Sequence, residues 1–343
     1  KSLKFEVREK IENAKIENLN VHTFHSLAVC YYSETAYVDN EIRKIIVENK
    51  KPTKKIPNID VLVLDESQDM TFLYFQLMCK FLFDMGNQVQ LIILGDYMQG
   101  LYEFKGSDIR YLTFADCIWE KHPVLRTSVF ELCSMKMSYR ITNQMRHFVN
   151  NVLIGEDRMD SCRDDQQVQY IRNSRYNIEK IVYAEIVRLF ELGVKPNDIF
   201  VLGPSVKGEQ SNIRKLENML VEKDIPCHVP MMESSDIDQR VIDGKVVFST
   251  FHTVKGRQRK YVFVVGMDHS YFKFYARNLP RDVCPNTIYV ACTCASQGLY
   301  ILESDSRPDD RPLDCIKMSH VEMKEQPYIQ FRGQHKTFFT IGE

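Results

Sequence analysis

Asp60-Val61-Leu62-Val63-Leu64 runs without a break into Asp65-Glu66-Ser67-Gln68-Asp69. The first five residues are short, branched and mostly apolar, the character of a buried parallel strand. The change to carboxylates then puts Asp65 and Glu66 at the strand's C-terminal edge, where open α/β sheets bind ligands. Val89-Gln90-Leu91-Ile92-Ile93-Leu94 repeats the pattern and leads into Gly95-Asp96-Tyr97-Met98-Gln99. Its polar residues should face the same crevice. Between the two, Thr71 to Met85 has the length and spacing of a covering helix, which Gly86-Asn87 ends. Strand, helix, strand is a crossover unit and predicts a parallel sheet.

The logic recurs further along. Ile199-Phe200-Val201-Leu202 precedes a polar, helix-like segment to about Asp224. Lys245 to Thr250 and Tyr261 to Val265 read as strands. A helix-like stretch from about Asn286 leads to a last strand, Leu299-Tyr300-Ile301-Leu302. Two α/β units joined near Trp119 to Thr127 result. Gly155 to Gln167 reads as a loop, and the last forty or so residues show no clear pattern.

At 343 residues the chain has room for two ordinary domains, and 44% apolar with 27% charged residues is a globular composition. Its 10 cysteines are scattered, with no C-x-x-C and one C-x-C at Cys292 and Cys294. With no signal-peptide pattern at the start, free thiols in a reducing intracellular compartment are expected. No apolar run approaches the roughly 20 residues of a membrane span, so no membrane partner is expected. The net charge of −1 gives a nucleic-acid partner no bulk support. A local basic track would suffice for one. The chain opens at Lys1 rather than Met, as a fragment or a processed product would.

A carboxylate pair at a strand end has a definite chemistry. Asp65 can hold Mg²⁺ while Glu66 polarises an attacking water. An acidic turn capping the next helix would look similar over two residues, but Gln68 and Asp69 have no place in such a cap. The Gln99 amide can touch a terminal phosphate and report its loss. Leu101-Tyr102-Glu103-Phe104-Lys105-Gly106 sets two aromatics at a fixed offset from that string. There, stacking is worth roughly 1–3 kcal/mol per base.

These two segments resemble motifs II and III of superfamily 1 helicases of the UvrD/Rep type. Further segments follow in that family's order. Val21-His22-Thr23-Phe24-His25-Ser26-Leu27 resembles its V-x-T-x-H-S segment, which touches single-stranded DNA. Lys1-Ser2-Leu3-Lys4 looks like the tail of the preceding T-x-N-K. Ser138-Tyr139-Arg140 resembles N-Y-R, which implies Tyr139 against the nucleotide base and Arg140 at the γ-phosphate. Thr250-Phe251-His252-Thr253-Val254-Lys255-Gly256 resembles T-x-H-x-x-K-G, which contacts DNA and couples to nucleotide. Tyr289-Val290-Ala291-Cys292-Thr293 resembles the Y-V-A-x-T opening of motif VI. Taken singly, His25 and His252 also suit ordinary polar turns, and Lys255-Gly256 a strand-to-loop break.

The resemblance implies two RecA-like parallel-sheet lobes, the first truncated at its N-terminus. Residues 1–124 would form it and residues 125–343 the second, with an unpatterned tail from about 304. It implies an ATP-dependent single-stranded DNA translocase and helicase core of 3′ to 5′ polarity, working on single strands and duplex junctions as a monomer. Glu66, Gln99 and Arg140 would be catalytic. Asp65, Asp96, Tyr139, Gly256 and Gln258 would bind ATP, with Mg²⁺ on Asp65. Phe24, His25, Tyr102, Phe104, Thr250, His252 and Lys255 would meet DNA.

Three departures bear on activity. No G-x-x-x-x-G-K-[ST] phosphate loop occurs in the sequence, and the family pattern would place it upstream of Lys1. Motif VI reads Thr293-Cys294-Ala295 where the family has T-R-A. Arginines in that role are worth about 10³–10⁵ in rate in related NTPases. Gly256-Arg257-Gln258 replaces G-L-E, and Gln258 can still hydrogen-bond a ribose hydroxyl. The rival expectation is a degenerate helicase that binds nucleic acid or a partner without turning over ATP. Spacings of about forty residues from His25 to Asp65, and about 110 from Arg140 to Thr250, leave no room for large accessory insertions.

Overall fold

The computed structural model describes residues 2–120, 122–125, 129–206, 208, 211–230, 239–304 and 312–333. The chain is a mixed α/β protein of two units, Lys1–Ser134 and Met135–Glu343. The division falls after Ser134 rather than after residue 124. The backbone explains the difference, because Val89 N donates to Val124 O at 2.9 Å and Val89 bridges Leu125 in parallel. Those pairings keep residues 124 and 125 on the first unit's sheet. The assignment of Lys1 to the T-x-N-K tail lies outside the described residues.

In the first unit β1 (Val61–Leu64) pairs in parallel with β2 (Gln90–Ile93), Val61 opposite Gln90 and Leu64 opposite Ile93. The helix Phe72–Met85 crosses between them as expected. The Thr71 hydroxyl caps its start by accepting from Tyr74 N at 3.3 Å, and Gly86 ends it at a left-handed φ of 74°. Leu77, Met78, Phe81 and Leu82 on this helix join Leu64, Val89, Ile42, Ile45 and Trp119 in one core. The expectation that both strands are buried on both faces is corrected. Side chains alternate along a strand. Leu62, Leu64, Leu91 and Ile93 face the core, whereas Val61, Val63 and Ile92 are exposed.

The second unit is built on seven parallel strands in the order β11-β5-β10-β9-β6-β8-β7. These are β5 (Val168–Asn173), β6 (Ile199–Gly203), β7 (Cys227–His228), β8 (Val246–Thr250), β9 (Arg259–Val265), β10 (Ala295–Ser304) and β11 (Ile329–Gly333). A separate pair, β3 (Met137–Ser138) and β4 (Asp160–Ser161), precedes them. Every residue of β6 and β8 is buried. That is why these strands read as unbroken apolar runs. The helices Ile178–Glu191 and Asn212–Val221 cover one face through Val182, Ile186, Leu189, Ile213, Leu216 and Leu220.

The unpatterned tail is a second correction. Residues 312–333 carry the helix His320–Lys324 and β11, which extends the sheet beyond β5. Polar contacts, invisible to an apolar pattern, help to hold them beside buried Leu313, Met323 and Ile329. Tyr170 OH and His320 Nε2 both meet the Glu303 carboxylate, the latter at 2.9 Å. Arg332 Nη1 donates to Glu185 Oε1 at 2.6 Å. The Gly155–Gln167 loop is organised by Asn150, buried, whose amide nitrogen donates to Asp157 Oδ1 at 3.0 Å and Met159 O at 2.9 Å.

Candidate functional site

At the end of β1 the chain turns sharply. Asp65 is exposed and its Oδ1 accepts from Glu66 N at 2.9 Å. Glu66 sits at φ 53°, ψ 40°, a left-handed conformation that is costly for a residue with a side chain. The next residues fix that geometry. Ser67 N donates to Leu94 O at 2.9 Å and Ser67 Oγ to Leu64 O at 3.0 Å, tying the ends of the two strands together. Gln68, only 1% exposed, donates from Nε2 to the Glu66 carboxylate and accepts from Asp96 N at its Oε1, 3.2 Å away.

The second string is bound into the same arrangement. Asp96 Oδ1 accepts from Met98 N and Oδ2 from Gln99 Nε2, both at 3.0 Å. Glu66, Gln68, Asp96 and Gln99 therefore form one hydrogen-bonded chain across two strand ends. Gly95 leaves room for it. A Cβ there would collide with Gln68 Oε1 and come within 2.9 Å of Leu112. Sequence reading singled out Gln68 as unnecessary for a cap but gave it no role, and it passed over Gly95. Their value lies in contacts between segments about thirty residues apart.

The aromatic pair after this loop is displayed on a short 3-10 turn, Glu103–Lys105. Phe104 is 72% exposed, and the Lys105 ammonium lies 4.9 Å from the Tyr102 ring centroid and 5.6 Å from that of Phe104. Phe24 stacks on Tyr74 at 4.5 Å, and His25 Nε2 lies 3.1 Å from Asp39 Oδ1. Tyr74 OH donates to the same carboxylate oxygen at 3.0 Å. Burial, then this bond, pushes the Tyr74 hydroxyl up to about 12. His25 thus belongs to a small polar cluster, with Thr23 and Ser26 closing a capping box beside it.

In the second unit Tyr139 and Arg140 are exposed on the loop after β3. Arg163 Nη1 holds that loop by donating to Tyr139 O at 3.4 Å and Arg140 O at 2.9 Å. Thr250, at the end of β8, is buried. Its Oγ1 lies 2.9 Å from Thr253 Oγ1 and accepts from Thr253 N at 3.3 Å, so it shapes the turn. His252, Gly256 and Gln258 are exposed, Lys255 is half-buried, and Gly256 takes a φ of 74°. Cys294 lies beneath this turn, with Sγ directed at Val290 O at 3.1 Å and Val254 O at 3.9 Å. Burial pushes its thiol up to about 12, and the nearby Arg140 charge offsets that only in part.

No protein-family model and no curated protein matches the chain. Among solved structures, one match is the C-terminal domain of a possible DNA helicase from Lactobacillus plantarum WCFS1. It is 15% identical, spans 49% of this chain and 89% of its own, and superposes with a TM-score of 0.33. That likeness is too distant to fix an activity here. Among the described residues, no helix is long and apolar enough to cross a membrane, and no group of three or more metal-ligating side chains occurs.

Proposed function

We propose that this chain is the motor core of an ATP-dependent single-stranded DNA translocase and helicase of the UvrD/Rep type, with 3′ to 5′ polarity. The observation that carries the reading is the chain Glu66–Gln68–Asp96–Gln99, which joins a water-polarising carboxylate to an amide suited to sensing phosphate. Asp65, exposed beside it, would hold Mg²⁺ by one carboxylate, as that ion prefers where phosphates and waters complete its shell. The bound ion supplies neutralisation of phosphate charge. Glu66 would accept the proton of a water that attacks the γ-phosphorus as its bond to the β–γ bridging oxygen breaks, and Gln99 would hydrogen-bond an oxygen of the γ-phosphate. Tyr139 offers an exposed ring to the base, Arg140 a cation to phosphate, and Gly256 and Gln258 backbone and amide groups to the ribose. Phe24, His25, Tyr102, Phe104, His252 and Lys255 supply rings and polar groups for a single strand, with Thr250 holding the turn that presents His252.

The test is ATP hydrolysis by the protein as its gene encodes it, with and without a dT oligonucleotide. Stimulation by the oligonucleotide, lost in Glu66→Gln, is expected. Hydrolysis indifferent to DNA overturns the motor reading. Cys294 favours a second reading, a module that binds nucleic acid without turnover, because a buried neutral thiol cannot supply the charge an arginine brings to phosphoryl transfer. Oligonucleotide binding with no hydrolysis is its signature.

A further inference from the structure

One exposed segment of the second unit takes no part in the site above. Lys273-Phe274-Tyr275-Ala276-Arg277-Asn278-Leu279-Pro280-Arg281 carries three cations ahead of Asp282, in a chain whose net charge is −1, and of the three Arg281 lies 4.0 Å from the Asp314 carboxylate. Phe274 is 55% exposed and Tyr275 51%, large values for aromatic rings.

The rings are held in place. Tyr275 N donates to Tyr271 O at 2.8 Å, and the Tyr275 ring stacks on that of Tyr271 at 5.9 Å and 27°. Tyr271 is itself buried, with its hydroxyl bonded to that of Thr287. Lys273 Nζ lies 5.3 Å from the Phe274 centroid, and Arg277 Nε donates to Lys273 O at 2.7 Å. Tyr275 thus has a ring backed by a buried partner, so little rotamer freedom is lost when something stacks on it. The Tyr271 ring also lies 6.0 Å from Phe251, the residue before the exposed His252. The segment and the turn proposed above for nucleic acid therefore share a buried support.

We propose that Lys273–Arg281 is a second contact for single-stranded nucleic acid, with Tyr275 and Phe274 stacking on bases and Lys273 and Arg277 meeting phosphates. The choice of partner follows from charge: Lys273 and Arg277, interleaved with two exposed rings, match a polyanion of stackable bases, not an apolar protein face. This inference rests on the nucleic-acid part of the reading above and is independent of whether ATP is turned over.

The experiment is anisotropy of a fluorescein-labelled dT oligonucleotide on the full chain across a salt series, with iodouridine photocrosslinking in parallel. Phe274→Ala with Tyr275→Ala should weaken binding by roughly tenfold per ring. Lys273→Ala with Arg277→Ala should flatten the log–log salt slope by about 0.7 per cation. Crosslinks should map to Phe274 or Tyr275, a readout that needs no variant to fold. If the parent binds, His252→Ala weakens it and the segment's variants do not, the second contact is overturned while the first reading stands. If the parent does not bind at low salt, both fall. A change in oligomeric state in Phe274→Ala with Tyr275→Ala, at unchanged oligonucleotide affinity, also overturns the proposal and makes this face a protein contact.

Discussion

Gln68 shows how much a single side chain can join. Its two ends satisfy groups on different strand ends, and its removal leaves the Glu66 carboxylate and the Asp96 N–H each without this partner. A buried polar group that loses its partner costs about 1–3 kcal/mol, and because Glu66 and Asp96 are half-buried the cost here falls toward the lower end. Gln68→Ala should therefore lower stability within that range and raise amide exchange at Asp96, measured by denaturation and by hydrogen-exchange mass spectrometry. Unchanged exchange at Asp96 would show that the bridge is not formed in solution. Gly95→Ala should give the same exchange signature, since its methyl group occupies the place of Gln68 Oε1.

Cys294 makes the opposite case, a residue whose sequence position suggested exposure to phosphate and whose surroundings are closed. With the thiol pushed up to about 12 and Sγ enclosed, native iodoacetamide labelling at pH 8 should spare it. Cys133 and Cys162, both exposed, should label first, as peptide mass mapping would show. The substitution Cys294→Arg brings a long cation into that closed space, and overpacking of this kind costs typically about 1–3 kcal/mol. A fall in thermal stability with no gain in ATP hydrolysis is expected, and a large gain would show a motor disabled by one residue.

At the scale of elements, the strands and the helix Phe72–Met85 were legible because period and capping both speak locally. β11 was not, because its attachment depends on partners far away in sequence. Arg332 and Arg188 both reach Glu185, from β11 and from the helix Ile178–Glu191. Burial alone would raise the Glu185 carboxyl, but the two guanidinium groups outweigh it and hold it below the usual 4.5. A carboxyl lower in the folded than in the unfolded state contributes fully above the unfolded value and loses that contribution as pH falls through the folded one. Arg332→Ala removes part of that depression. Its acid-unfolding midpoint, followed by far-UV circular dichroism, should move to higher pH. An unmoved midpoint would mean that this pair does not hold the edge strand.

Across the whole molecule, the two units bury their strands differently. The first unit's two-stranded sheet leaves Val61, Val63 and Ile92 exposed, whereas β6 and β8 of the second are buried throughout. Apolar burial contributes about 25 cal/mol per Å², so the first unit should be the weaker. Trp119 is the chain's one tryptophan and lies buried in the first unit's core. Its fluorescence should change at lower denaturant than far-UV circular dichroism, and coincident transitions would refute unequal stability.

The sequence by itself determined the two parallel α/β units, the Thr71–Gly86 limits of the crossover helix and the position of Asp65-Glu66 and Gly95–Gln99 at strand ends. These follow from period, capping and the rule that strand ends host ligands. Only the tertiary structure decided that Gln68 ties those ends together, that Thr250 and Cys294 are buried, that one face of β1 and β2 is exposed, and that the chain past residue 312 closes the sheet's edge. Each of those depends on which residues meet across long separations, and such pairings leave no periodic trace along the chain.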